Sequence, residues 1–281
     1  PTDYWTTTPW FAPDPHTDEA TDPAWYFGSQ IKTLQRAEQD IQSHTFAHFD
    51  GGLVTPDDWR ADFRAWRDVA APMNVAPATS IAFPWSSSAG MRWDSWQVLV
   101  EQGIRSITRT NWNQERFRIA DRERYAVRAL PGHPTISVVA DEYLTPQSLD
   151  TVRQGLQRAQ LNEGAIDVWS HTEEVATPQQ QAGWAEVVNQ SDAFWVASVP
   201  DIADWQHAVR NVRVELKAES PDYTFRVVND NAHTLDRLTL QLPFVPERIT
   251  VDGRSVPVSD THLIMTIPGQ HTAEVILWRA S

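Results

Sequence analysis

The 281-residue chain has no cysteine, only two lysines and three methionines, and no long apolar run. Each shortage excludes something. Without cysteine there are no disulfides, no thiolate metal site and no cysteine nucleophile. That does not fix the compartment, because a chain of this size can bury a sufficient core without staples. The absence of 18 consecutive apolar residues leaves no candidate membrane span. Basic residues are also short: 23 against 37 acidic, for a formal net charge of −14. A nucleic-acid backbone is therefore not an expected partner, since that interaction needs a basic footprint. The 21 arginines against two lysines read as genomic bias rather than chemistry.

What is present is unevenly placed. Thirteen of the 14 tryptophans lie at or before Trp205. Residues 208–281 hold 8 basic and 9 acidic side chains, so nearly all the net charge belongs to the first part. Two kinds of material follow one another, and the expected division is 1–207 and 208–281.

In the first part, helical and strand-like periods alternate. Helices are expected over Pro23–Glu38, Thr55–Ala71, Asp94–Gln102, Thr145–Leu161 and Thr177–Gln190. The Thr-Pro openings at residues 55, 145 and 177 supply an N-cap and a first-turn proline. Short strands are expected at Asp40–Ser43, Thr79–Phe83, Ile104–Thr108, Thr135–Ala140, Gly164–Ser170 and Phe194–Ser198. This alternation indicates an α/β fold with a parallel sheet or barrel. After Trp205 the pattern becomes short alternating runs between turn formers such as Asp252-Gly253 and Pro268-Gly269. It suggests a small all-β sandwich.

The strongest local signal is Ser43-His44-Thr45-Phe46-Ala47-His48. Two histidines four apart share one face of a helical turn, a spacing that lets both imidazoles reach one metal ion. On spacing alone the pair reads more readily as a chance occurrence. Its position after a short strand places it where α/β folds put their sites. Trp85, Trp93, Trp96 and Trp112 gather near it in sequence, and sugars stack on such rings. Trp59 and Trp66 keep helical period with Phe63 and are expected in the core. Asp50 is a possible further ligand. Asp14, His16, Asp18 and Glu19 read as a solvated acidic loop, and His133 as a turn residue.

Asp40 to His48 resembles the motif of polysaccharide deacetylases, the chitooligosaccharide deacetylase homology domain, in which Glu-Ile-(Gly/Ala)-(Ser/Asn)-His-(Thr/Ser)-x-x-His provides two metal-ligating histidines. Ser80 to Trp85 resembles the strand-end motif whose Pro–aromatic pair walls the sugar site. Leu99 to Arg109 resembles the stretch that follows. Gly164 to Thr172 resembles the late strand that ends in a histidine, and Val199 to Ala203 the closing segment. The resemblance spans about residues 5–205. It implies a distorted (β/α) barrel and the removal of N-acetyl groups from an amino sugar or polysaccharide, so a carbohydrate is the expected partner. It also implies a divalent metal, for which histidine ligands suit zinc. Carried over, His44 and His48 would be metal ligands and His171 the general acid. Phe83, Pro84, Trp85 and Arg109 would line the substrate.

Two departures stand out. The family's first acidic motif, which supplies the base and a third ligand, is not found in this chain. The chain opens on Pro1, and a strand carrying that motif is expected upstream or is missing. The motif-three arginine is replaced by Ala82, with Arg109 as a substitute. The alternative expectation is a non-catalytic carbohydrate-binding or assembly module.

Overall fold

A computed structural model of the chain describes residues 28–110, 125–171, 174–175, 177–219, 222–258 and 260–279. The acidic loop at 12–23 and Trp112 lie outside them. The chain divides into two compact units, Pro1–Ala203 and Asp204–Ser281.

The first unit is built on short parallel strands. β1 (Ser80–Ala82) pairs in parallel with β2 (Ser106–Thr108), and β2 with β4 (His133–Val138). β3 (Arg128–Leu130) adds an antiparallel edge to β4. Beyond Val138 the chain bends and continues as β5 (Asp141–Tyr143), which pairs in parallel with β6 (Asp167–Trp169). Asp167 N donates to Ala140 O at 2.8 Å, joining the two ladders at the bend. On the far side Ser43 forms a single parallel bridge to Ile81. The wall therefore runs Ser43, β1, β2, β4–β5, β6. Among the described residues it is an open, curved sheet and does not close into a barrel.

Helices flank it: α1 (Gly28–Arg36), α2 (Pro56–Ala70), α3 (Trp93–Glu101), α4 (Leu149–Leu161) and α5 (Pro178–Gln190). α2 starts as its sequence dictates. The Thr55 side chain caps Asp58 N, Asp58 reaches back to Thr55 N at 2.7 Å, and Pro56 occupies the first turn. Its inner face buries Trp59 and Phe63 against Phe49, Phe83 and Trp96. Each such side chain contributes roughly 1.5–3 kcal/mol of burial free energy. α4 begins at Leu149 rather than Thr145, because Thr145 and Ser148 close a turn on each other first, with Ser148 Oγ donating to Tyr143 O at 2.5 Å. Among the described residues the expected strand at 194–198 finds no pairing partner, and 191–193 form a 3-10 turn. The expected strand at 40–43 is reduced to the Ser43 bridge.

α6 (Val199–Arg210) crosses the boundary between the units. The second unit is antiparallel. Its five-stranded sheet has the order β11 (Arg254–Val256), β10 (Arg248–Val251), β13 (His271–Trp278), β8 (Tyr223–Asn229), β7 (Val212–Ala218). A separate two-stranded ladder pairs β9 (Leu235–Gln241) with β12 (His262–Ile267). Alternate residues of both, including Phe225, Val227, Leu263, Met265, Val275 and Leu277, share one buried core. β11 was not expected from the sequence. It follows β10 through Asp252-Gly253, both at positive φ (49° and 75°), the turn that matches strand twist in a two-residue hairpin. Fully buried Asn229 ties the unit together. Its amide donates to the carbonyls of His233, Ile267 and Pro268, and its oxygen accepts from both nitrogens of Asn231. No helix among the described residues is long and apolar enough to cross a membrane.

Candidate active site

The candidate residues hang from the C-terminal ends of successive parallel strands. His44 follows the Ser43 bridge, Phe83 to Trp85 follow β1, Arg109 follows β2, and His171 follows β6. The fold thereby gathers residues 127 positions apart in the chain.

The histidine motif is not a helical turn. Residues 44–48 form an irregular loop, with Thr45 and His48 in the left-handed region (φ 62° and 49°). The two rings still meet edge to face, centroids 4.9 Å apart. The loop is held by Asp62 of α2, which the sequence reading passed over. Its carboxyl, 1% exposed, accepts Phe46 N at 2.9 Å and 3.1 Å and Ala47 N at 2.9 Å. Burial pushes the Asp62 carboxyl up to about 7, against the pull of those two amides.

His44 Nδ1 lies 2.6 Å from Ala82 O. A carbonyl only accepts, so Nδ1 carries the hydrogen and Nε2 carries the lone pair. Arg109 Nη1 donates to that Nε2 at 3.2 Å. Burial lowers the His44 pKa to about 4, and burial followed by the Arg109 charge also lowers that of His48. Both rings are thus neutral near pH 7.

Arg109 is 9% exposed and also left-handed, at φ 57°. Its guanidinium carbon sits 3.6 Å from the centroid of the Trp169 ring, and Trp169 stacks on Tyr143 at 4.1 Å and 7°. The indole N–H donates to Asp141 Oδ2 at 2.9 Å, and Thr108 Oγ1 to Asp167 Oδ2 at 2.7 Å. Burial raises both carboxyls, Asp141 to about 7, while the Arg109 charge opposes the rise. These two acids were not picked out from the sequence. A signal was available for Asp167, which interrupts the apolar run 165–169 just before His171, where an acid is costly unless paired.

His171 stands edge-on to Tyr143 and Trp169, at 5.5 Å and 5.4 Å. Its Nδ1 lies 3.2 Å from Tyr143 Oη and 3.3 Å from Glu174 Oε2, and Glu174 also accepts from the Tyr143 hydroxyl and from His171 N. Burial works against the charge of Glu174, but these hydrogen bonds outweigh it and hold the carboxyl below its usual value. His171 is near enough to His44 and His48 to act on both electrostatically.

The other candidates separate. Trp85 is 51% exposed, left-handed (φ 57°), and edge-on to His48 at 5.0 Å. Phe83, expected at the sugar wall, is instead 0% exposed and packs between Trp59 and Trp96; Pro84 is buried as well. Trp96 belongs to the same core. Trp93 lies over His133, which is buried at the start of β4 rather than in a turn. Asp50 accepts Gly52 N and so closes its own turn. Five of the non-glycine residues at positive φ, Thr45, His48, Trp85, Ser86 and Arg109, lie in these loops. Such conformations cost about 1–3 kcal/mol each and concentrate at functional sites.

A divalent ion needs an oriented imidazole with a lone pair to give. His44 meets part of the requirement: its N–H goes to a carbonyl, which fixes the ring and leaves the lone pair on Nε2, where Arg109 engages it. The neighbouring His48 ring is neutral as well. A metal at the pair would have to displace Arg109 from His44 Nε2. No group of three or more His, Asp or Glu side chains suited to an ion occurs among the described residues.

No protein-family model matches this chain, and no curated protein does. Solved structures are similar to it. One, assigned as a polysaccharide deacetylase of Mycobacterium smegmatis, is 18% identical over 68% of this chain and 70% of its own, with a TM-score of 0.49. Another, assigned likewise in Pseudomonas aeruginosa PAO1, is 11% identical over 64% of this chain, TM-score 0.45. A third, an allantoinase, is 12% identical over 64% of this chain, TM-score 0.47. The chain spans 63% of the length of each of the latter two.

Proposed function

We propose that this chain is a hydrolase of the polysaccharide deacetylase kind, which removes N-acetyl groups from an amino sugar or polysaccharide with a divalent ion, zinc being the best suited to histidine ligands. The observation that supports this most is the convergence of His44, His48, Arg109 and His171 at neighbouring strand ends beside an exposed tryptophan. His44 and His48 would hold the ion. When bound there, it supplies Lewis-acid polarisation of the acetamide carbonyl. Trp85 offers a partly exposed ring on which the apolar face of a sugar stacks. His171 turns Nδ1 toward Tyr143 and Glu174, leaving Nε2 to deliver a proton to the leaving amine nitrogen. Glu174 steadies the imidazolium that donates it.

The test is acetate release from N-acetylated chito-oligosaccharides in the presence of zinc or cobalt, with His171→Ala beside the parent chain. Loss of a general acid costs about 10²–10⁴-fold in kcat. No release from any of several acetylated glycans overturns the reading, and an unchanged His171→Ala rate removes the role given to that residue. One observation favours a second reading, a carbohydrate-binding module without turnover: Arg109 already engages the lone pair of His44. Glycan binding without acetate release is its signature.

A further inference from the structure

We propose that Arg109 is a built-in competitor of the divalent ion for His44, so that its guanidinium sets how tightly the histidine pair takes a metal. This rests on the deacetylase-like reading above. His44 has one lone pair, on Nε2, because its Nδ1–H is committed to Ala82 O. Arg109 Nη1 donates to that nitrogen at 3.2 Å. One lone pair cannot serve an N–H and a metal together, and a dication beside a guanidinium adds like-charge repulsion.

The guanidinium is placed for this by its surroundings. It lies flat over Trp169, whose ring is itself fixed by the stack on Tyr143 and the hydrogen bond to Asp141. Arg109 Nε makes no hydrogen bond among the described residues, so the polar contact of the guanidinium there is the one with His44. Asp141 and Asp167 lie within electrostatic reach of the guanidinium. A metal at His44 therefore requires the guanidinium to leave Nε2.

The experiment is zinc titration of the full chain by calorimetry, repeated with cobalt by absorption, on the parent, Arg109→Met, Arg109→Gln and the Arg109→Met/His44→Ala double variant. Circular dichroism confirms folding of each. A hydrogen bond from a charged donor contributes about 1.5–3 kcal/mol, so both neutral variants should bind zinc about 10- to 100-fold more tightly than the parent. The double variant should lose the gain. Equal or weaker binding by both neutral variants overturns the proposal, as does a gain that survives loss of His44. Failure of every form to take up zinc overturns it together with the metal reading. Zinc uptake in the expected order without acetate release leaves it standing and overturns only the deacetylase reading.

Discussion

Replacing Asp62 by asparagine tests how the histidine loop is held. The buried carboxyl accepts two backbone amides, and burial nevertheless raises its pKa from 3.8 to about 7. The folded-state value lies above the unfolded one. Its stabilising contribution is therefore complete below about pH 4 and is lost as the pH rises through 7. Between pH 5 and pH 8 the loss amounts to at most about 3 kcal/mol, at 1.36 kcal/mol per pH unit. Asparagine has nearly the same shape and does not ionise. At pH 5 it should cost about 1–2 kcal/mol, because its NH₂ replaces Oδ2, which faces Phe46 N at 3.1 Å. At pH 8 the parent carries the buried charge and the variant does not, so the cost should vanish or reverse. Urea unfolding followed by tryptophan fluorescence, with Trp59 as a buried reporter in the same helix, measures both. Asp141 and Asp167 also titrate, but they are common to both proteins and cancel in the difference. An equal cost at pH 5 and pH 8 would refute the argument. A greater cost at pH 8 would show that the two amides outweigh burial.

Two further outcomes follow from packing. A Cβ on Gly52 would stand 1.5 Å from Ala89 O, so Gly52→Ala must push apart the backbones at 52 and 89, beside the loop that carries Trp85. It should destabilise the first unit by at least about 1–3 kcal/mol, read from its denaturation midpoint. Asn229→Ala leaves three carbonyls and the Asn231 amides without their buried partner. It should cost about 2–4 kcal/mol, and hydrogen exchange should quicken at β8, β12 and β13 while α2 keeps its protection.

Much of this was legible from residue order. The capped start of α2 and α5 and the strands at 80–82, 106–108 and 248–251 rest on local signals that the fold respects. The meeting of His44 and His48 was also expected, but from a helical turn that does not exist. The loop achieves it through two left-handed residues and the distant Asp62, neither of which leaves a periodic trace. Phe83 was misplaced because a Pro–aromatic pair fixes a strand end without saying which ring turns inward; Trp85, two residues on, is the exposed one. The Arg109 contact with His44 joins residues 65 apart and is visible only once β1 and β2 lie side by side.

Because each chemical group hangs from a different strand end, the wall and the chemistry are separable inheritances. Strand pairing depends on backbone and on side chains turned into the core, whereas His44, Trp85, Arg109 and His171 begin just beyond it. One loop can be rewritten while its neighbours keep their register. Such an architecture can drift from catalyst to binder and back by single substitutions at the rim, so shared topology is a poor witness to shared turnover, and kinship of fold and kinship of activity need separate proof.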